Sequence, residues 1–85
     1  MKIVYSSKFA REYRHLPLPV KKLAEKQEMK FRMDPFDPGL RTHRLSGKLK
    51  SYWSFSIDYH YRIIFEFIDD RTIWFHSVGS HAIYR

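Results

Sequence analysis

Seven consecutive residues, Tyr61-Arg62-Ile63-Ile64-Phe65-Glu66-Phe67, constrain the fold more than any other stretch. Tyr61, Ile63, Phe65 and Phe67 alternate with Arg62, Ile64, Glu66 and Ile68, so both sides of the segment are largely apolar. A strand of that kind is covered on both faces and belongs in the middle of a sheet. It ends a longer aromatic and β-branched segment, Leu45 to Phe67, punctuated near its start by Gly47. Within it, Trp53, Phe55 and Ile57 alternate with Ser54, Ser56 and Asp58, which predicts a half-buried partner strand. Asp58 to His60 supplies the reversal between the two. Lys48, Lys50, His60 and Arg62 are set into this apolar fabric, with Asp58 and Glu66 as its acids. Cationic and titratable groups on a rigid sheet suit the handling of phosphate.

The rest of the chain arranges itself around that pair. Lys2 to Tyr5 reads as a first strand, and Ser6 or Ser7 can cap a helix by accepting from first-turn amides. Phe9, Tyr13 and Leu16 follow at helical spacing. Pro17 and Pro19 end that helix and open a second, from Val20 to about Arg32, whose inner face is Val20, Leu23, Ala24, Gln27 and Phe31. Asp34 to Leu40 is a proline- and glycine-bearing loop, and Leu40, Leu45 and Leu49 are expected to anchor the crossing in the core. Asp69-Asp70 turns into a last strand, Thr72 to Val78, with Ile73 and Phe75 on one side and Trp74, His76 and Val78 on the other; Gly79 is expected to break it. The expectation is a single α+β domain over residues 1–85: an N-terminal strand, a two-helix hairpin, then a three-stranded antiparallel meander. One helix pair covers one face of such a sheet. Arg62, opposite in parity to Ile63 and Phe65, should lie on the open concave face unless a bulge inverts the register.

Composition narrows the function. The 85 residues include no cysteine, which excludes disulfides and thiolate metal sites, and the Phe, Tyr and Trp residues must supply much of the core. No apolar run approaches the roughly 20 residues that cross a bilayer, and Met-Lys-Ile-Val-Tyr is no signal peptide, so a cytoplasmic protein is expected. A net charge of +7 points to nucleic acid, an anionic surface or an acidic protein as partner.

Leu-Ser-Gly-Lys-Leu (45–49), Tyr-Trp-Ser-Phe (52–55), Tyr-Arg-Ile-Ile-Phe (61–65) and Gly-Ser-His-Ala-Ile-Tyr (79–84), in this order and spacing, resemble the RelE/ParE superfamily of type II toxin–antitoxin toxins. The likeness covers the whole chain and is strongest to the RelE and YoeB/Txe-type messenger-RNA endonucleases. It implies a toxin that binds the ribosomal A site and cuts messenger RNA by attack of a ribose 2′-hydroxyl on the adjacent phosphate. A 2′,3′-cyclic phosphate and a 5′-hydroxyl result, without metal or other cofactor. It also implies a cognate antitoxin, and contacts with ribosomal RNA.

Such chemistry needs a base near the 2′-hydroxyl, a cation on the phosphorane oxygens and an acid for the leaving oxygen. Arg62 matches the family's strand arginine, and a guanidinium grips two phosphate oxygens while staying charged; a salt bridge to Asp58 or Glu66 is its structural alternative. His81 matches the histidine of the terminal Gly-Ser-His motif; an unperturbed imidazole, with a pKa of about 6.5, suits proton transfer at neutral pH, and a terminal surface histidine is the structural alternative. Tyr84 can stack on a base, donate a proton or simply pack. His60, before Arg62, is either a site residue or a turn residue, and Glu66 is either a carboxylate base or structural. Lys48 and Lys50 are placed to meet RNA phosphates, with Arg44 and His43 as weaker candidates. Tyr52 can stack on bases, whereas Trp53 at strand periodicity suits the core. Lys22, Lys26 and Lys30 on the second helix dock ribosomal RNA or form an ordinary solvated face. A ParE-like gyrase poison and a catalytically silent binding module of the same fold are the rival readings.

Overall fold

The computed structural model describes residues 1–49 and 51–80, the side chain of Leu49 excepted. In chain order the elements are β1 (Lys2–Tyr5), α1 (Ser7–Arg14), α2 (Leu18–Met33), β2 (His43–Arg44), β3 (Trp53–Ser56), β4 (Tyr61–Phe67) and β5 (Thr72–Ser80). Short 3-10 turns at Pro38–Leu40 and Gly47–Leu49 flank β2. Among the described residues no helix is long and apolar enough to cross a membrane.

Local chemistry sets the helix ends. Ser6 caps α1 by accepting from the Phe9 amide at 2.9 Å, and the same hydroxyl donates to the His76 carbonyl at 2.7 Å. Pro17 and Pro19 start α2, where the missing amides cost nothing. Of the expected inner face of α2, Val20, Ala24 and Phe31 are buried, whereas Leu23 is 39% exposed and lies outside the core. Gln27 is on that face for a polar reason given below.

The α+β class and element order match the sequence reading, but the sheet is larger than a three-stranded meander. It has five strands, in the order β1-β5-β4-β3-β2, with β1 parallel to β5 and the other pairs antiparallel. The apolar strand β4 is at its centre, as its double-sided pattern demands. The unforeseen β2 is only two residues long and too short for any periodicity. Gly79 does not break β5: it is paired opposite Arg62, and the strand runs on to Ser80. Pairing passes from Phe65↔Phe75 to Ile64↔Ser77, which leaves His76 as the extra residue of a β-bulge. The bulge turns Val78 to the helix side, opposite Ile63 and in the core, rather than beside Trp74.

Where β1 ends, α1 takes over the exposed edge of β5: besides the Ser6 bond, Glu12 Oε1 accepts from the Val78 amide at 3.1 Å. Phe31 joins the layers, its ring 4.8 Å from Phe55, 5.0 Å from Phe65 and 5.6 Å from Phe75. Leu40 is fully buried as expected and Leu45 half-buried. Trp53 packs against Phe36 and Phe67 on the helix side, which makes it a core residue.

Candidate functional site

Because β4 keeps its alternation, Arg62 does lie on the face away from the helices, level with Ser56 on β3 and Gly79 on β5. The Ile57 amide donates to the Tyr61 carbonyl, so Ser56 and Arg62 form the non-hydrogen-bonded kind of cross-strand pair, in which side chains approach most closely. Arg62 Nη1 donates to Ser56 Oγ at 2.8 Å, which orients the guanidinium. On the other flank Gly79 contributes no side chain.

The half-buried guanidinium opens on a cleft of about 400 Å³ at the end of the sheet, lined by Gln27, Gly39, Arg41, Ser56, Ile57, Asp58, Tyr59, His60 and Arg62. Asp58 builds its floor, since Oδ1 accepts from the His60 and Tyr61 amides at 2.8 Å each, an Asx turn. That turn holds the His60 side chain at the exposed rim, edge-on to Tyr59 with ring centres 5.2 Å apart. The opposite rim is Arg41, in the left-handed backbone region (φ 53°) just after the Pro38–Leu40 turn. Gln27 ties the walls together by donating to the Ser56 carbonyl at 2.8 Å and the Gly39 carbonyl at 3.3 Å. Two arginines and an imidazole against one carboxylate, itself occupied by backbone amides, make this an anion-accepting cleft.

Farther along this face, past the buried row of Ser54, Ile64 and Ser77, the chemistry changes. Glu66 is level with Trp74, and the ring of Trp74 runs nearly parallel to that of His76 at 5.1 Å. Tyr52 closes on both, 4.9 Å from His76 and 6.5 Å from Trp74. His76 Nδ1 is buried with no hydrogen-bond partner among the described residues. Burial lowers the His76 pKa below the ordinary imidazole value, helped by Lys8 and opposed by Glu12 and Glu66, so the ring is neutral at pH 7.

Of the residues singled out from sequence, Arg62 and His60 meet in the cleft, and Glu66 shares the Arg62 face two alternations away. Lys22, Lys26 and Lys30 are exposed on α2. Lys26 and Lys30 flank a groove, also lined by Leu23 and Met29, that shares Gln27 and Ile57 with the cleft. Arg44 on β2 and Lys48 in the Gly47–Leu49 turn are exposed. Lys50, His81 and Tyr84 lie outside the described residues. Among the described residues no group of three or more His, Asp or Glu side chains is arranged to hold a metal ion. Sequence reasoning missed Gln27, Arg41 and Ser56 as parts of the site. The one available signal was a glutamine on an otherwise apolar helix stripe.

No protein-family model matches the sequence, and a search of curated proteins finds no match. Solved structures do match over nearly the full chain. The YoeB/ParE toxin from Agrobacterium tumefaciens superposes with a TM-score of 0.80 at 16% identity, covering 95% of this chain and 99% of its own. YafQ from E. coli gives 0.71 at 20% identity, covering 98% and 96%. The RelB-RelE antitoxin-toxin complex from Methanococcus jannaschii gives 0.74 at 19%, covering 95% and 94%. The chain shares the fold of these toxins.

Proposed function

We propose that this protein is the toxin of a type II toxin–antitoxin module and a ribosome-dependent, metal-independent messenger-RNA endoribonuclease. The observation that carries the reading is Arg62: a guanidinium on the central strand, oriented by Ser56, level with a glycine and opening on a cationic cleft. A scissile phosphate in that cleft has its two non-bridging oxygens gripped by Arg62 as charge builds on them. The 2′-oxygen bonds to phosphorus and the P–O5′ bond breaks. The 2′-hydroxyl proton goes to a base, and a proton is delivered to the departing 5′-oxygen, leaving a 2′,3′-cyclic phosphate and a 5′-hydroxyl.

His60 at the cleft rim and His81, by its match to the family motif, are the proton-transfer candidates, imidazole being suited to that work near neutral pH. Tyr84 and Glu66 are the secondary candidates in the same set. Lys22, Lys26, Lys30, Arg44, Lys48 and Lys50 neutralise phosphates of messenger and ribosomal RNA without reading sequence. The antitoxin carries an acidic segment complementary to this basic domain, and the module acts in the cytoplasm.

Primer extension on a message translated in a purified system, with wild type, Arg62→Ala and His81→Ala, tests the reading. Cuts at A-site codons should need the ribosome and fall at least about 100-fold with Arg62→Ala, the loss expected for one donor to a developing oxyanion. A folded Arg62→Ala protein that cuts as well as wild type removes the assignment. An intact message with arrested growth transfers the protein to the gyrase-poison reading.

A further inference from the structure

The open face carries a second chemistry that the cleft does not use. Trp74, His76 and Tyr52 gather three rings on the side of the sheet opposite the hydrophobic core. Trp74 and Tyr52 remain half-exposed there. Glu66, level with Trp74 on the central strand, sets a carboxylate beside those rings. Its charge reaches the cluster, since it acts on the His76 imidazole. Arg62 and Glu66 are four residues apart on one strand and share a face, which separates phosphate grip from ring cluster by about 13 Å. That span suits a phosphate at one end and the base of a neighbouring nucleotide at the other.

Ser54, Ile64 and Ser77, the row between Arg62 and the rings, are buried, so what this face offers to solvent there is the half-exposed surface of Trp74 and Tyr52. Partly exposed aromatic rings next to a phosphate site form a surface on which bases stack, whatever their identity. The carboxylate is the unexpected part. On a protein with 16 lysines and arginines against nine acids, an acid on the ligand face repels a polyanion. It becomes favourable when it accepts a hydrogen bond from the ligand, and the exocyclic amino groups of cytosine, adenine and guanine are such donors. Uracil has none.

We infer that Trp74, Tyr52 and His76 form a nucleobase platform one nucleotide from the phosphate held by Arg62, and that Glu66 selects bases bearing an exocyclic amino group over uracil. The inference rests on the RNA-cleaving reading above and assigns Glu66 to recognition rather than to proton transfer.

The test uses the full chain and non-cleavable 2′-O-methyl trinucleotides, titrated while the two tryptophan indole N–H signals are followed by NMR. Trp53 packs on the helix side of the sheet, so its signal is the internal control. A trinucleotide with a central cytosine should shift the Trp74 signal and leave that of Trp53 in place. An abasic centre should abolish the shift, and a central uracil should weaken binding. Trp74→Ala should weaken cytosine binding by about 5- to 150-fold, the range for loss of one stacked base. Tyr52→Ala serves as a second variant if Trp74→Ala fails to fold. Glu66→Gln, whose amide both donates and accepts, should level cytosine and uracil. Binding that depends on Arg62 but is indifferent to the central base overturns the platform and leaves the phosphate site standing. No binding of any trinucleotide at millimolar concentration overturns the platform, and the ribosome-based cleavage assay then judges the catalytic reading separately.

Discussion

Gln27 offers a sharp test of how the cleft is held together. The Ser56 carbonyl points away from β4, because Ser56 sits between hydrogen-bonded positions of the β3–β4 ladder. β2 pairs only with Trp53 and Ser54 and cannot reach it. Gln27 Nε2 supplies the donor at 2.8 Å and reaches the Gly39 carbonyl at 3.3 Å, joining helix, sheet edge and loop through one amide. Gln27→Leu keeps the size and removes both bonds. Leaving an acceptor unsatisfied costs about 1–3 kcal/mol when it is buried, and the Ser56 carbonyl is part-buried at the cleft, where water and the added apolar contact offset part of the cost, so a net loss of about 1 kcal/mol is expected. Gln27→Glu is nearly isosteric yet aims a carboxylate at two carbonyl oxygens, with Arg41 and Arg62 of the same cleft offsetting part of the repulsion, and about 1–3 kcal/mol should be lost at pH 7. Against a total of about 4–13 kcal/mol for a domain of this size, either change is readily measured.

The two variants differ in their response to acid. The carboxyl introduced by Gln27→Glu is raised in pKa by the folded structure, because its neutral form alone can donate to Ser56. The deficit of that variant should therefore be smallest below the unfolded value of about 4.3 and grow as pH rises through the folded pKa. The Gln27→Leu deficit should be flat with pH. Urea unfolding of wild type and both variants at pH 4 and pH 7 gives these differences directly. A Gln27→Glu protein within about 0.5 kcal/mol of wild type at pH 7, or an equal deficit at both pH values, would show that the bridge contributes nothing.

Phe31→Ala empties the contact between α2 and three sheet phenylalanines and should cost about 3–5 kcal/mol in urea melts, the upper range for a fully buried ring. Ser6→Ala removes both the α1 cap and the bond to the His76 carbonyl, a loss of about 1–2.5 kcal/mol, with amide exchange rising first at Phe9. His76, faced by Lys8 and Glu12 from α1 and by Glu66 from β4, has a folded pKa below 6.5. The unfolded chain thus takes up its proton first, and stability should fall as pH drops below about 6.5 until the folded value is passed. One proton limits that slope to about 1.4 kcal/mol per pH unit, with solvent screening making it shallower, and His76→Gln should abolish the component in pH-dependent urea melts.

The parts of this fold that could be read from the sequence are those whose pattern is local. β4 announced its central place through apolar residues on both faces, and its unbroken alternation sent Arg62 to the open side. Proline and serine marked the helix boundaries. What stayed hidden depends on distant partners. The parallel union of β1 with β5 joins residues about 70 positions apart, and β2 exists only because the edge of β3 is free to receive two residues. Leu23 fits the period of α2, but it lies exposed along the groove it shares with Met29 and Ile57. Gln27 looked like an interruption of that stripe because its partners are carbonyls on two other elements. Arg41 reaches the cleft through a left-handed backbone angle, for which an arginine gives no signal.

The bulge at His76 connects the misread strand to the site. In an unbroken register continued from Phe65↔Phe75, Ser77 would face Ile63 in the core and Val78 would stand across from Arg62 on the open face. That arrangement buries a hydroxyl where an apolar side chain is needed and sets an isopropyl group beside the guanidinium. One extra residue corrects both at once, returning Val78 to the core and bringing Gly79 level with Arg62. The edge groups disturbed by the bulge are satisfied from α1, by Ser6 at the His76 carbonyl and Glu12 at the Val78 amide. The helix cap, the bulge and the glycine level with Arg62 are therefore one device. A variant that straightened β5 would set Val78 against Arg62 and narrow the cleft before it lost the sheet.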